Sequence, residues 1–577
     1  MRQTARTVAR APEMLDATAP PIRVALLLDD LVQPAWAARA ISELLESALI
    51  DVALVVLNDA PAPARARFHR VRSWIRNRNF LAYALYQRFD RWRFKLPNDP
   101  FADVDMTAVL GNIPIRRVRP RMTKHCDYFE PADVDAIHEF DVDVAARFGF
   151  RILKGDALAI AKHGVWSYHH GDNLVNRGGP AGFWEVMEGA KVTGCVLQRL
   201  TESLDDGVVL YRAFSATNQF SVRKNQSGYF WSSAPILRRV LEQLHRDGPE
   251  VVFERNRVNP GWHGYSNRLY VAPTNREMIP LFARVLRRYV GEKLRAMTSF
   301  DQWFIAYRLR SEAPDDRFRP DSNYYRFLKL IPPPDRFWAD PFAVSANGRH
   351  YIFLEEFVFK TDRGRISLFE IDSNGVAQGP VPVLERDYHL SYPFMFEWDG
   401  QQYMVPETHA SGQIELFRAA NFPREWTLDR ILVPNVRAVD ATIAQIGERW
   451  WLFASVSPHA ETEWDDLHIY YADSPLGPWT PHRRNPVKSD VRSARPAGRV
   501  FSANGQYFRP AQNSAERYGH SIVINEIVRI DPDEFVEVEV SRISPNWTDR
   551  LLATHTINAD GRLTVIDGQM SRRGRQR

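Results

Sequence analysis

The chain is poor in cysteine: Cys126 and Cys195 are the only two in 577 residues. They cannot make a disulfide framework, and no CxxC pair or Cys/His zinc spacing exists, so no metal site is expected. A reduced, cytoplasmic setting is the expectation. Long apolar runs are lacking too. The longest useful one, Val24–Leu28, falls far short of the roughly 18 residues of a membrane-spanning helix. Charge of one sign is also missing. Lys and Arg total 75 against 70 Asp and Glu, a net +5, too balanced to imply a nucleic-acid partner. The opening MRQTARTVARAPEM has Arg2, Arg6 and Arg10 but no apolar core, so 1–21 reads as a basic tail and not a secretory signal. Residues 573–577 read as a second basic tail.

What is present is globular: 45% hydrophobic and 25% charged residues, with length for roughly four domains. Aromatics reach 12%, with 16 Trp, which favours strand-rich or carbohydrate-facing architecture. Residues 22–215 alternate strand-like runs (Ile22–Asp30, Ile50–Leu57, Asp141–Phe150, Gly164–Tyr168) with helical spacing at Trp36–Glu46, the pattern of a parallel α/β sheet. No GxGxxG follows the first strand, so a dinucleotide site has no support. Arg65–Lys95 interleaves arginines with aromatics around a single acid, Asp90. It reads either as a basic amphipathic surface for membrane headgroups or phosphates, or as a solvated helix pair that turns its aromatics inward. Residues 216–325 read as a helical connector, with apolar spacing at Ile236–Leu244 and Met278–Leu294.

Residues 326–572 carry an internal repeat: ADPFAVSANGRHYIFLEE, SYPFMFEWDGQQYMVPE, VDATIAQIGERWWLFAS, RPAGRVFSANGQYFRPA and THTINADGRLTVIDG. Each unit is a strand, a turn ending at Gly348, Gly400, Gly447, Gly505 or Gly561, and a second strand. Further strands are expected at Arg365–Ile371, Gln413–Arg418, Leu467–Ala472 and Ser521–Ile527, with Tyr324–Leu330 closing the last unit from the N-terminal side. Five such units predict an all-β five-bladed propeller. Strand starts would gather Asp340, Ser391 or Tyr392, Asp440, Arg495 and His555 at its axis, with Glu407, Arg509 and Gln512 near the ends of second strands. Facing carboxylates are what glycoside chemistry requires, although an Asp at a strand start can equally cap a turn.

In the first region, 164–210 place His169 at a strand end, then the loop Arg177-Gly178-Gly179-Pro180, a helix start near Phe183 and the acidic turn Asp205-Asp206-Gly207. A His and an Asp at two strand ends can form an acid/base pair. Together with Trp184 and Thr193-Gly194, this stretch resembles the formyltransferase family. The resemblance implies formyl transfer from 10-formyltetrahydrofolate to an amine, with His169 in proton transfer, Asp205 charging it, and Ser167 where the family has Asn. It also puts Phe148, Gly149, Phe150 and Leu153 along the folate cleft and Arg177 and Gly178 beside the substrate. The repeat region resembles the five-bladed arabinanase and xylosidase propellers, with Arg495 where those have a Glu. Through FWADPF, HLSYPF, YMVPE, AVDATI, WWLFAS, GPWTPHRRNPV, ARPAGR and YFRPAQ it resembles, more closely, the N-terminal part of plant glucosamine inositolphosphorylceramide transferases. The combined expectation is a formyltransferase-like enzyme with a carbohydrate-binding propeller, acting on a sugar nucleotide or glycolipid precursor. The alternative is a propeller-borne glycosidase or glycosyltransferase on a degenerate N-terminal scaffold.

Overall fold

The computed structural model describes residues 19–60, 78–175, 177–202, 207–254, 269–457 and 465–574. The chain forms two compact units. The first holds residues up to 184, 194–213 and 221–279; the second holds 185–193, 214–220 and everything from 280 onward.

The first unit is built on a seven-stranded sheet. Its order is Val208–Ala216, Val192–Arg199, Val165–His169, Val144–Arg147, Ile22–Leu28, Ile50–Asn58, Ile115–Val118. The last five run parallel, and Val192–Arg199 lies antiparallel to Val165–His169. Because strand side chains alternate, Val24, Leu26 and Leu28 enter one core while Ala25 and Leu27 enter another on the opposite face. The helix Ala35–Leu45 covers the first face with Trp36, Ile41 and Leu44.

The same core takes Tyr229, Phe230, Ile236, Leu237, Val240, Leu241 and Leu244 from helices Val222–Ser233 and Ile236–Glu254. This corrects the reading of 216–325 as a connector. The apolar face seen at Ile236–Leu244 covers the α/β sheet.

The second unit contains five antiparallel sheets in chain succession. Four begin at Arg336–Ala346, Ser391–Trp398, Ala438–Ile446 and Phe501–Ala503 and are built in chain order. The fifth joins distant segments: Ser299–Leu309 pairs along its whole length with Leu563–Arg573. Leu328–Leu330 adds only a short edge to Ser299–Leu309. The strand expected to close the last unit is thus more than twenty residues too late; Ser299–Leu309, read as connector, takes that place. Both its faces are buried: Ile305 and Tyr307 in one core, Phe304 and Ala306 in another. The hairpin glycines all lie in the left-handed region, with Asn347, Asp399 and Asn504 before them.

The first strands of three sheets share an irregularity. Pairing slips between Ala339 and Phe342, between Ser391 and Phe394, and between Val439 and Thr442. At each slip one residue is left-handed: Asp340 at φ 49°, Tyr392 at φ 40°, Asp440 at φ 55°. Such bulges bend a strand and re-aim a side chain. For residues with a Cβ the conformation costs about 1–3 kcal/mol, and it persists where surroundings impose it.

Candidate functional site

The three bulges converge on one buried group of ionisable side chains in the second unit. Arg495 donates to both carboxylate oxygens of Asp440, one through Nε and the other from Nη2 at 3.3 Å. The same Nη2 reaches Glu407 at 3.4 Å. Gln512 donates to Asp440 at 2.8 Å and to the Pro496 carbonyl at 3.0 Å. Its own Oε1 is buried and has no partner among the described residues. His409 Nδ1 lies 2.8 Å from Glu407.

On the other side, His555 Nδ1 meets Asp567 at 2.5 Å and its Nε2 lies 3.7 Å from Asp340. Thr556 donates to Asp340 at 2.7 Å. Trp303 stacks on the His555 imidazole at 4.0 Å. Asp340, His555 and Asp567 each offer one ligand atom within 4.8 Å of the others, a mixed N/O set that a divalent cation could use. The expectation of no metal site therefore does not follow from the missing zinc spacings, because these ligands come from distant strands.

Glu355 completes the group. It lies in the buried stretch of Arg349–Val358 and sits 3.4 Å from His389 Nε2. His389 Nδ1 accepts from the Gly364 backbone at 3.0 Å, so Nε2 is the nitrogen that can donate to Glu355. Gly364 is required there: a Cβ would fall 2.6 Å from the Leu390 carbonyl and 2.8 Å from Glu355. Tyr518, 38% exposed, borders the group. Its ring lies 5.1 Å from the Arg495 guanidinium and 5.5 Å from the His555 ring.

Five carboxylates share this space with one guanidinium and three imidazoles, so the group cannot hold every carboxylate as an anion without large cost. Protons are retained unevenly. Burial, reinforced by the charges of Asp340, Glu407 and Asp440, raises Glu355 well above the carboxylate range. Burial also pushes Asp440 up to about 8, helped by Glu407 against the pull of Arg495. Glu407 goes the other way. Burial would raise it, but the His409 hydrogen bond and Arg495 bring it to about 2. His555 is raised because Asp567 and Asp340 outweigh its burial. Burial thus favours a proton on Glu355, while the His409 and Arg495 contacts favour the anion at Glu407, the kind of divergence that acid/base chemistry uses.

Of the residues expected here, Asp340, Asp440, Glu407, Arg495, Gln512 and His555 belong to the group. Tyr392 is buried at its edge: its hydroxyl accepts from the Gly498 backbone at 2.7 Å and pairs with Thr442 at 2.8 Å. Ser391 pairs in the sheet opposite Glu407. Arg509 does not belong. It is fully buried against Glu537, at 2.6 Å and 2.8 Å, and against the Ser493 carbonyl, an internal ion pair with no face left for substrate. The sequence reading missed Glu355, Asp567, His389, His409 and Tyr518. For Glu355 the signal was the doubled acid of FLEEF inside an apolar strand. Period-two alternation sends Glu356 to one face, where it is buried against Arg336, Arg365 and Ser367, and Glu355 to the opposite face.

In the first unit, His169 is half-buried at the end of its strand. Asp205, its expected partner, lies outside the described residues. Ser167 is buried, and its hydroxyl is spent: it accepts from Arg147 Nε at 3.1 Å and donates to the Tyr168 carbonyl at 3.2 Å. This corrects its assignment as a catalytic donor. His170 is half-buried, stacked 3.8 Å from Phe230, and desolvation drops it to about 3. Phe150 and Leu153 point into the core, and Phe148 packs on Trp36 at 5.8 Å. Gly149 is a close approach, since a Cβ would fall 2.3 Å from the Asp29 nitrogen. Arg177 and Gly178 pair with Leu269–Tyr270, and a Cβ on Gly178 would sit 2.2 Å from the Tyr270 carbonyl. The backbone of Gly178 is therefore packed against another strand. A folate is implied only by the resemblance. The donors here do not fit the family's arrangement, because Ser167 is occupied by Arg147.

Residues 330–550 match the family described as glucosamine inositolphosphorylceramide transferase 1, N-terminal. Glucosamine inositolphosphorylceramide transferase 1 of Oryza sativa subsp. japonica is 34% identical over 212 residues, covering 36% of this chain and 28% of the relative. The Arabidopsis thaliana protein of the same name is 36% identical over 211 residues, with the same coverage. The chain thus spans 28% of the length of these relatives. Among solved structures, a family 117 glycoside hydrolase from Zobellia galactanivorans aligns at 12% identity and TM-score 0.30, over 48% of this chain and 91% of that one. A formyltetrahydrofolate deformylase from Pseudomonas syringae pv. tomato aligns at 16% identity and TM-score 0.27, over 40% of this chain and 64% of that one. Likenesses this loose carry no functional weight.

Proposed function

We propose that the chain is a glycoconjugate-modifying enzyme whose chemistry resides in the carboxylate group of the second unit. The observation that carries the reading is the buried carboxylate group itself, in which Arg495 bridges Glu407 and Asp440 while burial and neighbouring charges favour a proton on Glu355. In this reading the five sheets form a five-bladed propeller, clasped by the pairing of Ser299–Leu309 with Leu563–Arg573. The substrate is the sugar headgroup of an inositol-phosphate glycolipid or its precursor, a class taken from the names of the relatives. Glu355 gives its proton to the leaving glycosidic oxygen as the C–O bond breaks. An incoming hydroxyl, of water or of a second sugar, bonds to the anomeric carbon and loses its proton to Glu407. Arg495 fixes Glu407 and Asp440, and the unpartnered Gln512 Oε1 is an acceptor for a sugar hydroxyl. The test is turnover of glycosyl inositolphosphorylceramides, read as sugar released or transferred. Glu355→Gln should abolish it while leaving the fold intact. Equal turnover by wild type and variant would end the reading.

A second reading, formyl transfer to an amino sugar in the first unit, is favoured only by the half-buried strand-end position of His169. It expects a product heavier by one formyl group, absent with His169→Ala. No step is derived for it, because the donor set around Ser167 does not fit.

A further inference from the structure

The helix Leu81–Arg93 presents an outward face unlike the rest of the first unit. Its inner face is anchored. Tyr83 and Tyr86 meet Phe183 at 5.1 Å and 6.2 Å, and Asp90 is buried and accepts from the Arg223 backbone at 2.8 Å. Turning by 100° per residue, Leu81, Leu85, Phe89 and Trp92 fall together on the opposite side. All four are exposed, Trp92 by 70% and Leu85 by 66%. Arg88 and Arg91 flank this stripe on one side and Arg93 on the other, with Arg78 and Lys95 at the two ends, all exposed. Asp90 is the only acid between Arg78 and Leu96, and it is consumed inside. The outer face is therefore apolar at its centre and wholly cationic at its rim.

We infer that this helix lies flat on a membrane surface carrying anionic lipid, with Leu85, Phe89 and Trp92 entering the headgroup boundary and the arginines pairing with phosphates. The charge chooses the occupant: arginines on both flanks suit an anionic sheet of headgroups, and the aromatic and leucine stripe suits the acyl boundary beneath it. A nucleic acid would satisfy the rim and leave the stripe in water. This inference is independent of the chemistry proposed above, and either can fail alone.

The experiment is flotation of the full chain with phosphatidylcholine vesicles, with and without phosphatidylserine. Wild type should float only with phosphatidylserine, and added salt should weaken it. Arg88→Gln/Arg91→Gln should bind roughly thirtyfold more weakly, from about 1 kcal/mol per cation at an anionic surface. Leu85→Ser/Trp92→Ser should lose at least about tenfold although it keeps every charge. These side chains are exposed, so both variants should melt as wild type does, which separates lost binding from lost fold. Wild type remaining in solution with phosphatidylserine would overturn the inference. So would full binding by Leu85→Ser/Trp92→Ser, which would mean headgroup attraction alone. A vesicle-independent dimer that Trp92→Ser dissolves would assign the face to a second copy and overturn it equally.

Discussion

Replacing Arg495 with Met tests whether one cation holds the carboxylate group together. The guanidinium bridges Asp440 and Glu407 and is almost fully buried. Met keeps the aliphatic volume and removes the charge, so two buried carboxylates lose their common partner. Breaking a buried pair from one side costs about 3–5 kcal/mol. At roughly 2 °C per kcal/mol for a unit of this size, the melting transition of the second unit should fall by about 6–10 °C at pH 7.5. The sign of the pH dependence is fixed. Without Arg495, Asp440 and Glu407 bind protons more tightly in the folded state than in the unfolded one. Folding then favours low pH, and stability is lost as pH rises through the raised folded values. The deficit against wild type should therefore shrink toward pH 5 and widen toward pH 8.5. Calorimetry of both proteins across that range is the assay. A deficit below about 1 kcal/mol at every pH, or one that grows toward acid, would refute the reasoning.

Other consequences follow from single contacts. Gly364→Ala places a methyl 2.6 Å from the Leu390 carbonyl and against Glu355, so it should destabilise by about 2–3 kcal/mol and disturb turnover, read by urea titration and by activity. Glu355→Gln removes a carboxyl whose folded value is raised; its contribution is complete below the ordinary 4.5 and is lost as pH rises from there toward the folded value, so the variant's decline over that range should be shallower in the same titration. On the acid side, Glu407 has its folded value near 2 against an ordinary 4.5. Its contribution is complete above pH 4.5 and fades as pH falls toward 2, so Glu407→Gln should flatten that limb. In the first unit, Arg147→Met strips donors from Ser167 Oγ and from the Phe150 and Arg151 carbonyls, and should cost about 2–4 kcal/mol in chemical denaturation.

How much of this was legible follows from the distance over which each feature is decided. The hairpins were readable because Asn-Gly and Asp-Gly set a two-residue turn locally, and Asn347, Asp399 and Asn504 are indeed left-handed. The parallel sheet was readable because Val24–Leu28 is buried on both faces and so is a continuous apolar run. The Ser299–Leu309 strand was hidden because its partner lies more than 250 residues away, and nothing local separates an apolar run of that length from a helix. The site was half legible. Asp340, Asp440 and Arg495 stood at repeat starts, and at Asp340 and Asp440 bulges turn the side chains inward. Glu355 and Asp567 lay inside apolar strands, where only the face they occupy distinguishes a solvated acid from a buried one. Ser167 and Arg509 misled because a buried partner, Arg147 or Glu537, was invisible in the linear pattern.

The central assertion is that Glu355 holds a proton beside the ionised Glu407. Infrared difference spectroscopy of wild type against Glu355→Gln reads this directly through the carbonyl stretch of a protonated carboxylic acid. At pH 7 the wild-type-minus-variant difference should contain that band, over and above any contribution from Asp440 that both proteins share. A difference without that band at pH 7 would contradict the account.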